Sequence, residues 1–414
     1  MALARTAPLR EEIERLFPER PFDVEFWDGS ALPSTESDAP DSASMQKSGR
    51  GGPAFIVKSP KAVAHALLAP GQLGLGRAYA SGDLMVSDLD QVMRLLDDWE
   101  PPPLETTDKL KLAGAAARAV GLTVPPRPPA AELKPRGRRH TPARDRRAVR
   151  HHYDVSNDFF ALFLDQSMTY SCAIFSRGAS TLEEAQVAKN ELVCTKLALK
   201  EGDRVLDIGS GWGAFAIHAA KEHGTHVTGI TLSEPQAAGA TERARAAGVE
   251  DLVEFRVQDY RELRGERFDA LASIGMVEHV GEEQIDVYAR QLASLIEPGG
   301  RLLNHGIARL RHSDPAAGAF SERYVFPDAD PLHLSRISLA LERAGFQPNH
   351  VEDFREDYAE TLRHWARRLD DNLDEATRIA GPERVRVWRL YLRAARNGFE
   401  TGFTSVYQVL CTRA

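Results

Sequence analysis

Three glycines at alternating positions, Gly209, Gly211 and Gly213, lie between the apolar segment "RVLDI" and the helix-like segment "GAFAIHAAKEHG". Glycine at such a strand-to-helix turn lets the backbone turn tightly and lets a ligand approach the main chain closely. The third glycine comes one residue earlier than in the GxGxxG turn of dinucleotide-binding proteins. No lysine follows where a phosphate-binding P-loop requires one. The remaining candidate ligand is a small nucleoside with a short charged tail.

Two acidic residues near this turn narrow the choice of ligand. Asp207 lies just before the glycines and suits a ligand with a cationic group, such as an ammonium or a sulfonium. Asp259 ends the segment "VEFRVQD" and can accept a hydrogen bond from the exocyclic amine of adenine. S-adenosylmethionine combines all of these groups, so we predict that it binds here. In the alternative interpretation, the two aspartates only cap helices or turns.

From about residue 150 onward, strand-like and helix-like segments alternate. Apolar segments such as "RVLDIG" and "FDALASIGM" are typical of buried strands, and "TLEEAQVAKNELVCTKLAL" predicts a helix that starts with a capping box. This alternation predicts an α/β fold with a mostly parallel sheet that helices cover on both faces. Ligands of such sheets bind at the carboxyl ends of the strands, where the glycine turn and Asp259 lie.

The chain divides into three parts. Residues 1–99 predict a small N-terminal α/β domain with a possible lipid-binding role, in which "SPKAVAHALLA" and "SDLDQVMRLLDDW" are helices with serine N-caps. The polar stretch "STESDAPDSASMQKSGRGG" predicts a flexible loop in this domain. Residues 100–146 are rich in proline and predict a linker that contains much of the basic segment Lys134–His152. Residues 147–414 form the predicted catalytic domain.

Composition limits the partners and the environment. The chain has 414 residues and a net charge of -8 at pH 7, which favours two domains and no nucleic-acid partner. Its three cysteines, Cys172, Cys194 and Cys411, form no CxxC and no metal-ligand pattern with histidines, so we predict neither a disulfide framework nor a metal site. The sequence shows no signal-peptide pattern and no apolar stretch as long as a membrane-spanning helix.

Three further segments complete the set of motifs. "YDVSNDFFALFLDQSMTYSCAIF" precedes the glycine turn, and "SIGMVEHVG" and "LLNHGI" follow it. Together with "GSGWG", these segments resemble the cyclopropane-fatty-acyl-phospholipid synthase family, which includes the mycolic acid cyclopropane synthases. The resemblance covers roughly residues 147–414. It implies a class I methyltransferase domain with a Rossmann-like, mostly parallel, seven-stranded sheet.

The resemblance also implies a reaction. The methyl carbon of S-adenosylmethionine is transferred to the cis double bond of an unsaturated phospholipid acyl chain. A bound bicarbonate ion then removes a proton from the carbocation, which leaves a cyclopropane ring. Because an alkene is a weak nucleophile, the site must hold the reactants close together and exclude water.

The same resemblance assigns residues to the two ligands by their motif positions. The bicarbonate site matches Cys172, Glu278, His305, Ile307 and Tyr358. The methyl-donor site matches Tyr170, Ser171, Gly209, Gly211, Thr231, Gln236 and Asp259, to which the glycine turn itself adds Asp207 and Gly213. Glu278 can accept the bicarbonate proton, while His305, Tyr358 and backbone groups near Cys172 and Ile307 can donate hydrogen bonds.

Several of these residues also have a purely structural interpretation. Free cysteines are usually small buried hydrophobic residues, which is the alternative for Cys172. A histidine at a strand end, such as His305, can be a hydrogen-bonded core residue. Tyr358 has the weakest local match. Glu278 follows an apolar strand, where a carboxylate is costly to bury unless it is paired, and this favours a functional role.

The sequence determines the product of the reaction less well than it determines the first step, the methyl transfer to the double bond. This chain has "LLNHGI" where many family members carry "LLHTI", so Asn304 and Gly306 flank His305, and Ser210 stands where many members carry cysteine. Related enzymes form a methylene-branched chain from oleoyl phospholipid, which a flavin-dependent partner reduces to a methyl branch. We predict the cyclopropane product and keep the methylene branch as the alternative.

A phospholipid substrate requires access to a membrane. The basic segment Lys134–His152 can dock on anionic headgroups, which predicts a cytoplasmic enzyme peripherally associated with the inner face of the cell membrane. The alternative interpretation of this segment is a solvated linker.

Homo-oligomerisation is compatible with the sequence. Two other hypotheses are a methyltransferase that acts on a small soluble molecule and a lipid-binding scaffold protein with a degenerate methyltransferase fold.

Overall fold

The computed structural model describes residues 6–35, 52–121, 124–133, 139–141, 144–147, 156–314 and 318–414. The chain forms two compact units. Unit 1 comprises Met1–Glu132 and Gly381–Ala394, and unit 2 comprises Leu133–Ala380 and Ala395–Ala414. The predicted boundaries at residues 99 and 146 differ from this division. Helix Thr106–Val120, which the sequence analysis placed in a linker, contributes Ala116 and Ala119 to the core of unit 1.

Unit 1 contains a four-stranded sheet in the order β2-β1-β3-β4. Its strands are β1 (Asp23–Phe26), β2 (Ala31–Leu32), β3 (Ala54–Val57) and β4 (Leu84–Val86). Its first helices are α1 (Ala7–Leu16), α2 (Pro60–Leu68), α3 (Gln72–Ser81), α4 (Leu89–Asp98) and α5 (Thr106–Val120). The predicted serine N-cap is confirmed for α2 at Ser59 and wrong for α4. Asp88 caps α4 because its carboxylate accepts the amides of Asp90 and Gln91. Most of the predicted flexible loop, residues 36–51, lies outside the described residues.

A C-terminal segment also belongs to unit 1. The helical segment Leu373–Glu400 is interrupted at Gly381, which has φ 78° and ψ 157° and is followed by Pro382. After the break, the Arg386 side chain donates to the carbonyl of Ala80 (2.9 Å), and Glu383 accepts from the amide of Ala131 (2.7 Å). The Gly-Pro pair is the sequence signal of the break, but no local pattern indicates that the chain returns to the first unit.

Unit 2 contains a seven-stranded sheet in the order β10-β11-β9-β8-β5-β6-β7. Its strands are β5 (Arg204–Ile208), β6 (His226–Thr231), β7 (Val253–Val257), β8 (Phe268–Ile274), β9 (Ile296–Arg309), β10 (Phe346–Asp353) and β11 (Thr404–Arg413). Strands β5 to β9 pair in parallel, and β11 runs antiparallel to both β9 and β10. This is the mostly parallel sheet that the sequence predicted.

Helices cover both faces of this sheet. The helices that follow α5 along the chain are α6 (Asn157–Ala161), α7 (Leu182–Leu197), α8 (Ala214–His223), α9 (Glu234–Ala246), α10 (Ile285–Leu295), α11 (Ala319–Tyr324), α12 (Leu334–Arg343), α13 (Arg355–Asp371) and α14 (Leu373–Glu400, interrupted as above and in unit 1 over Gly381–Ala394). The predicted capping box of α7 is present at Thr181 and Glu184. Because successive residues of a strand point to opposite faces, Val205 packs with α7 and α8, whereas Leu206 packs with α10 and α12. None of the helices in the described residues combines the length and apolar character that a bilayer span requires.

Candidate active site

The glycine turn connects β5 to α8. Gly209, Gly211 and Gly213 have φ of 80°, 55° and 83°, a region that other residues rarely adopt. The amides of Gly209 and Ser210 both donate to the carbonyl of Ile230 at 2.9 Å, which holds the turn against β6. A Cβ on Gly211 would meet no atom within 4 Å, whereas one on Gly213 would lie 2.5 Å from the Phe255 ring. Gly211 therefore leaves room for a ligand, and Gly213 allows close packing.

A cleft opens beside this turn at the carboxyl ends of β5, β6 and β7, and we call it the nucleotide cleft. Of the residues predicted to bind the methyl donor, five line it: Gly209, Gly211, Thr231, Gln236 and Asp259. Four others, Tyr170, Ser171, Asp207 and Gly213, are not part of its wall. Other polar wall residues were not predicted from the sequence, among them His140, Asp145, Arg261 and His279.

Several polar side chains of the nucleotide cleft are paired with one another, whereas the buried Nδ1 of His140 has no partner among the described residues. Arg261 donates to both carboxylate oxygens of Asp259 (2.9 and 2.7 Å) and also to Asp145 (2.8 Å). Thr231 donates to the side-chain oxygen of Gln236 at 2.7 Å. A carboxylate offers about four acceptor positions, so Asp259 keeps capacity for a further donor such as the adenine amine. The cleft is therefore organised before a ligand binds.

Asp207 and Ser171 share a buried neighbour, Lys189 of α7. The Lys189 ammonium donates to the Ser171 hydroxyl at 3.3 Å. Burial raises the pKa of Asp207 to about 7, and the charge of Lys189 opposes this rise. Burial also lowers the pKa of Lys189 to about 8, against the opposing charges of Asp165 and Asp207. Asp207 is thus part of a buried charged group, whereas the sequence analysis expected it to face the ligand.

A second site surrounds the carboxyl end of β9, and we call it the β9 corner. It contains Glu278, His305, Ile307, Cys172 and Tyr358, the five residues that the sequence analysis assigned to bicarbonate. The structure arranges them in two groups, described in turn below.

The first group of the β9 corner is centred on Glu278. Strand β8 ends at Ile274, whereas β9 continues to Arg309, and Glu278 lies beside the part of β9 that extends further. A Cβ on Gly306 would lie 3.0 Å from Glu278 Oε2 and 2.2 Å from a Val277 methyl group. Burial raises the pKa of Glu278 to about 7, and backbone hydrogen bonds, including one from Ile307, act in the opposite direction.

The second group meets around Phe354. The ring of His305 lies parallel to the Phe354 ring, with centroids 6.4 Å apart. The Phe354 carbonyl accepts from the Cys172 thiol (3.8 Å) and from the Tyr358 amide (3.0 Å). The β9 alternation places His305 and Ile307 on the sheet face that packs with α7, together with Leu303. Cys172 is fully buried, and burial raises its thiol pKa well above the usual value, so the thiol stays protonated.

A hydrogen-bonded relay fixes the proton of His305. Lys196 donates to Glu352 (2.6 Å) and to the side-chain oxygen of Gln408 (2.7 Å). The Gln408 amide nitrogen is therefore turned toward His305 Nδ1, 3.1 Å away. Because an amide nitrogen can only donate, Nδ1 accepts and Nε2 carries the proton. Burial lowers the His305 pKa to about 3, so the ring is neutral at physiological pH.

Two polar atoms of the β9 corner have no hydrogen-bond partner among the described residues. They are Glu278 Oε2 and His305 Nε2, and both are buried. Leaving such an atom unpaired costs about 1–3 kcal/mol. One is an acceptor or, when protonated, a donor, and the other is a fixed N–H donor. Each of these two atoms can therefore hydrogen-bond a ligand.

Aromatic side chains form a connected group that includes Tyr170 and Tyr358. Tyr170 stacks on Trp365 with centroids 5.1 Å apart, and on Phe326 at 6.4 Å. Phe326 also lines the nucleotide cleft. The Tyr358 ring lies 4.6 Å from Phe399 and 6.1 Å from Trp365. Electron-rich ring faces of this kind attract cations.

The burial of Lys189 is indicated by the sequence of α7. Helix α7 buries Leu182, Ala185, Gln186, Lys189, Asn190, Val193, Cys194 and Leu197, which are spaced as one helix face. Three polar residues within an otherwise apolar stripe indicate a buried polar group. His140 and Arg261 had no comparable signal, because they reach the nucleotide cleft from separate loops.

The strand order and the glycine turn define a Rossmann-like, S-adenosylmethionine-dependent methyltransferase fold. The sequence model of the family described as "Mycolic acid cyclopropane synthetase" matches residues 140–409. This chain belongs to that family of lipid- and fatty-acid-modifying methyltransferases.

Individual relatives and a solved structure agree with this assignment. The chain is 38% identical over 374 residues to a probable fatty acid methyltransferase of Mycobacterium tuberculosis, covering 86% of each chain. It is 30% identical over 376 residues to the tuberculostearic acid methyltransferase UfaA1 of the same organism, covering 86% of this chain and 82% of the relative. The crystal structure of mycolic acid cyclopropane synthase CmaA1 complexed with SAH and CTAB matches with a TM-score of 0.61 and 30% identity, over 65% of this chain and 98% of that chain.

Proposed function

We propose that this enzyme transfers the methyl carbon of S-adenosylmethionine to the cis double bond of an unsaturated phospholipid acyl chain, and that a bicarbonate ion in the β9 corner takes the proton. The product is a cyclopropane fatty acyl chain. The observation that carries the proposal is the pair of buried polar atoms, Glu278 Oε2 and His305 Nε2, that lack partners among the described residues. A bicarbonate ion would satisfy both.

The nucleotide cleft holds the methyl donor in this proposal. Gly209 and Gly211 allow the backbone to approach the ligand, Gln236 faces its ribose, and Asp259 accepts the adenine amine. The stacked rings of Tyr170, Trp365 and Phe326 lie toward the acyl chain and stabilise the carbocation that methyl transfer creates. These apolar side chains also exclude water, which would otherwise capture the cation.

The β9 corner controls the proton. When bound, bicarbonate supplies a base that the methyl donor alkylates poorly. His305 donates from Nε2 and orients that base, because Gln408 holds its proton on this nitrogen. Glu278, with its pKa raised to about 7 by burial, changes protonation state near neutral pH and accepts the proton that is passed on. Cys172 contributes neighbouring backbone groups, since its thiol points to carbonyl oxygens.

A methylene-branched product is the second candidate, and two observations favour it. One relative is named as a tuberculostearic acid methyltransferase. In addition, Gly306 replaces a threonine that many family members carry, and Val277 and Glu278 occupy the space next to its missing side chain. Because Glu278 lies next to position 306, the size of the residue there affects where the base sits and therefore which proton leaves. The methylene product would require a flavin-dependent reductase as partner to become a methyl branch.

Contact with an anionic membrane surface, on the cytoplasmic side, is part of the proposal. Part of the basic segment, residues 134–138, 142–143 and 148–152, lies outside the described residues. In the described part, Arg144 pairs with Asp328, Arg139 with Glu322, and Arg146 with Glu262. These pairs reduce the positive charge that headgroups would meet, so we expect docking to be weaker than the sequence alone indicates.

The direct test is expression of the chain in a host that makes oleoyl phospholipids and no cyclopropane lipids. Gas chromatography with mass spectrometry of the fatty acyl methyl esters identifies the product, and the host with empty vector is the control. A cyclopropane chain supports the first proposal, and a methylene-branched chain supports the second. Unchanged lipids, with protein that binds S-adenosylmethionine, would contradict both and favour a soluble substrate.

A further inference from the structure

A cluster of metal-ligating side chains lies where α7 packs against α8. Helix α7 contributes Cys194, and helix α8 contributes His218 and His223. One potential ligand atom from each lies within 4.8 Å of those of the other two. The sequence analysis predicted no metal site because these ligands are separated along the chain and form no compact motif. Two packed helices bring them together.

Glu191 contacts two of the three side chains of this cluster and is a candidate fourth ligand. Glu191 is one helical turn before Cys194, so both side chains lie on the same face of α7. The same oxygen of Glu191, Oε2, lies 3.1 Å from His218 Nε2 and 3.0 Å from His223 Nε2. Both imidazoles therefore point toward one position at the side of Glu191.

The geometry suits a tetrahedral ion. Zinc bonds of 2.0–2.1 Å to nitrogen and 2.3 Å to sulfur give ligand-to-ligand distances of about 3.3–3.6 Å. Separations of at most 4.8 Å reach these values through small side-chain rotations. The donor set of one thiolate, two imidazoles and one carboxylate is one that zinc prefers over magnesium or calcium.

The surroundings also favour a cation. His223 is the last residue of α8, where the helix dipole and the free carbonyl groups attract positive charge. Cys194 is buried among Val193, Phe215 and Ala219, whereas the Glu191 side chain is 48% exposed. The site therefore has an apolar base and an open side through which an ion can enter.

We propose that Glu191, Cys194, His218 and His223 bind one zinc ion, which joins α7 to α8. Because α8 begins directly after the glycine turn, the ion stabilises the helix that positions the methyl-donor cleft without touching the ligand.

The test uses the untagged full-length chain, stripped of metal with a chelator and titrated with Co²⁺ and then Zn²⁺. We expect one Co²⁺ per chain, a thiolate-to-cobalt charge-transfer band, strong visible bands of tetrahedral cobalt, and loss of all bands on adding Zn²⁺. Cys194→Ser should abolish the charge-transfer band, and His223→Gln should weaken Co²⁺ binding at least tenfold. The matched controls, Cys411→Ser and His226→Gln, should bind as the wild type does.

Thermal unfolding provides a second readout. Zn²⁺ should raise the Tm of the wild type and of both controls, and leave the Tm of His223→Gln unchanged. His223→Gln alters a side chain that is 21% exposed, so it tests the site even if Cys194→Ser fails to fold. Absence of cobalt bands in the wild type, or bands that persist in both site variants, would overturn the proposal. In that case the cluster is a hydrogen-bonded Glu191 with two histidines.

Discussion

The nucleotide cleft and the β9 corner lie in the same unit and differ in how their polar groups are paired. In the cleft, Arg261 already holds Asp259 and Asp145, and Thr231 holds Gln236. In the β9 corner, Glu278 Oε2 and His305 Nε2 are buried without a partner in the described parts of the chain. The carboxylates of the cleft are therefore paired before a ligand binds, with His140 Nδ1 as a buried wall atom that is not, whereas the buried carboxylate of the corner keeps an unpaired oxygen until a ligand completes it.

This difference indicates that the cleft serves to bind the nucleoside and that the corner serves the chemical step. A cleft built from backbone turns and paired side chains binds a common nucleoside with little reorganisation. A corner with unpaired polar atoms has lower stability but provides preorganised groups for one reaction. Substitutions in the corner should therefore affect turnover and stability in opposite directions, and substitutions in the cleft should affect binding.

The largest expected effect is the loss of turnover in Glu278→Gln. Glutamine keeps the shape but cannot accept the proton, so the rate of lipid modification should fall at least about 100-fold. The affinity for S-adenosylmethionine, measured by calorimetry, should stay within about twofold. Glu282→Gln, an exposed residue of the same loop, is the control and should retain full activity. Equal loss in both variants would remove Glu278 from the mechanism.

The same variant should be more stable than the wild type at high pH. The Glu278 pKa rises from 4.5 to about 7 on folding, so the stability that this group contributes is present below pH 4.5 and is lost as the pH rises through 7. The free energy of unfolding of Glu278→Gln should therefore exceed that of the wild type by at most about 3 kcal/mol above pH 7. Urea unfolding between pH 4.5 and 8 measures the difference. A constant difference across this range would contradict the raised pKa.

The contacts of Gln408 should contribute to turnover the free energy of one hydrogen bond, the one that His305 Nε2 donates to the bound anion. In Gln408→Glu, a carboxylate faces Nδ1 and moves the imidazole proton there, which takes the donor away from Nε2. We expect turnover to fall about 10- to 100-fold, corresponding to about 1.5–3 kcal/mol, with unchanged affinity for S-adenosylmethionine. NMR of ¹⁵N-labelled histidine should show the Nε2–H form in the wild type and the Nδ1–H form in the variant. Gln347→Glu, on exposed β10, is the control.

The smallest effect concerns the glycine turn. Gly209 has φ 80°, so Gly209→Ala adds about 1–2 kcal/mol of backbone strain and a Cβ 3.5 Å from Met276. We expect S-adenosylmethionine to bind about tenfold more weakly. Gly248→Ala has a similar strain at φ 70°, in open space away from the cleft. If both variants weaken binding equally, the strain acts on global stability and the turn does not contact the ligand.

The cleft was easier to predict from the sequence than the corner. Gly209, Gly211 and Asp259 follow strand patterns directly, and the carboxyl ends of parallel strands meet at one edge. The pairing of Asp259 with Arg261 and the burial of Asp207 beside Lys189 depend on contacts between distant segments, so no local pattern indicated them. Likewise, the metal-ligand cluster of Cys194 and two histidines exists only because α7 and α8 pack side by side.

In the β9 corner, the sequence motifs indicated which residues take part but not which of them contact one another. The resemblance assigned Cys172, Glu278, His305, Ile307 and Tyr358, and their roles remain predictions. What the sequence did not predict is Phe354, which connects three of them, and Gln408, which sets the tautomer of His305. Both reach the corner from distant parts of the chain. The return of Gly381–Ala394 to unit 1 was missed for the same reason.

The most direct measurement of the central claim is turnover of the purified enzyme on oleoyl phospholipid vesicles in carbon-dioxide-free buffer, with and without added bicarbonate. The account predicts little product without bicarbonate and saturable recovery when it is added, while binding of S-adenosylmethionine is the same in both buffers. Equal rates in both buffers would contradict the claim that Glu278 and His305 hold this anion.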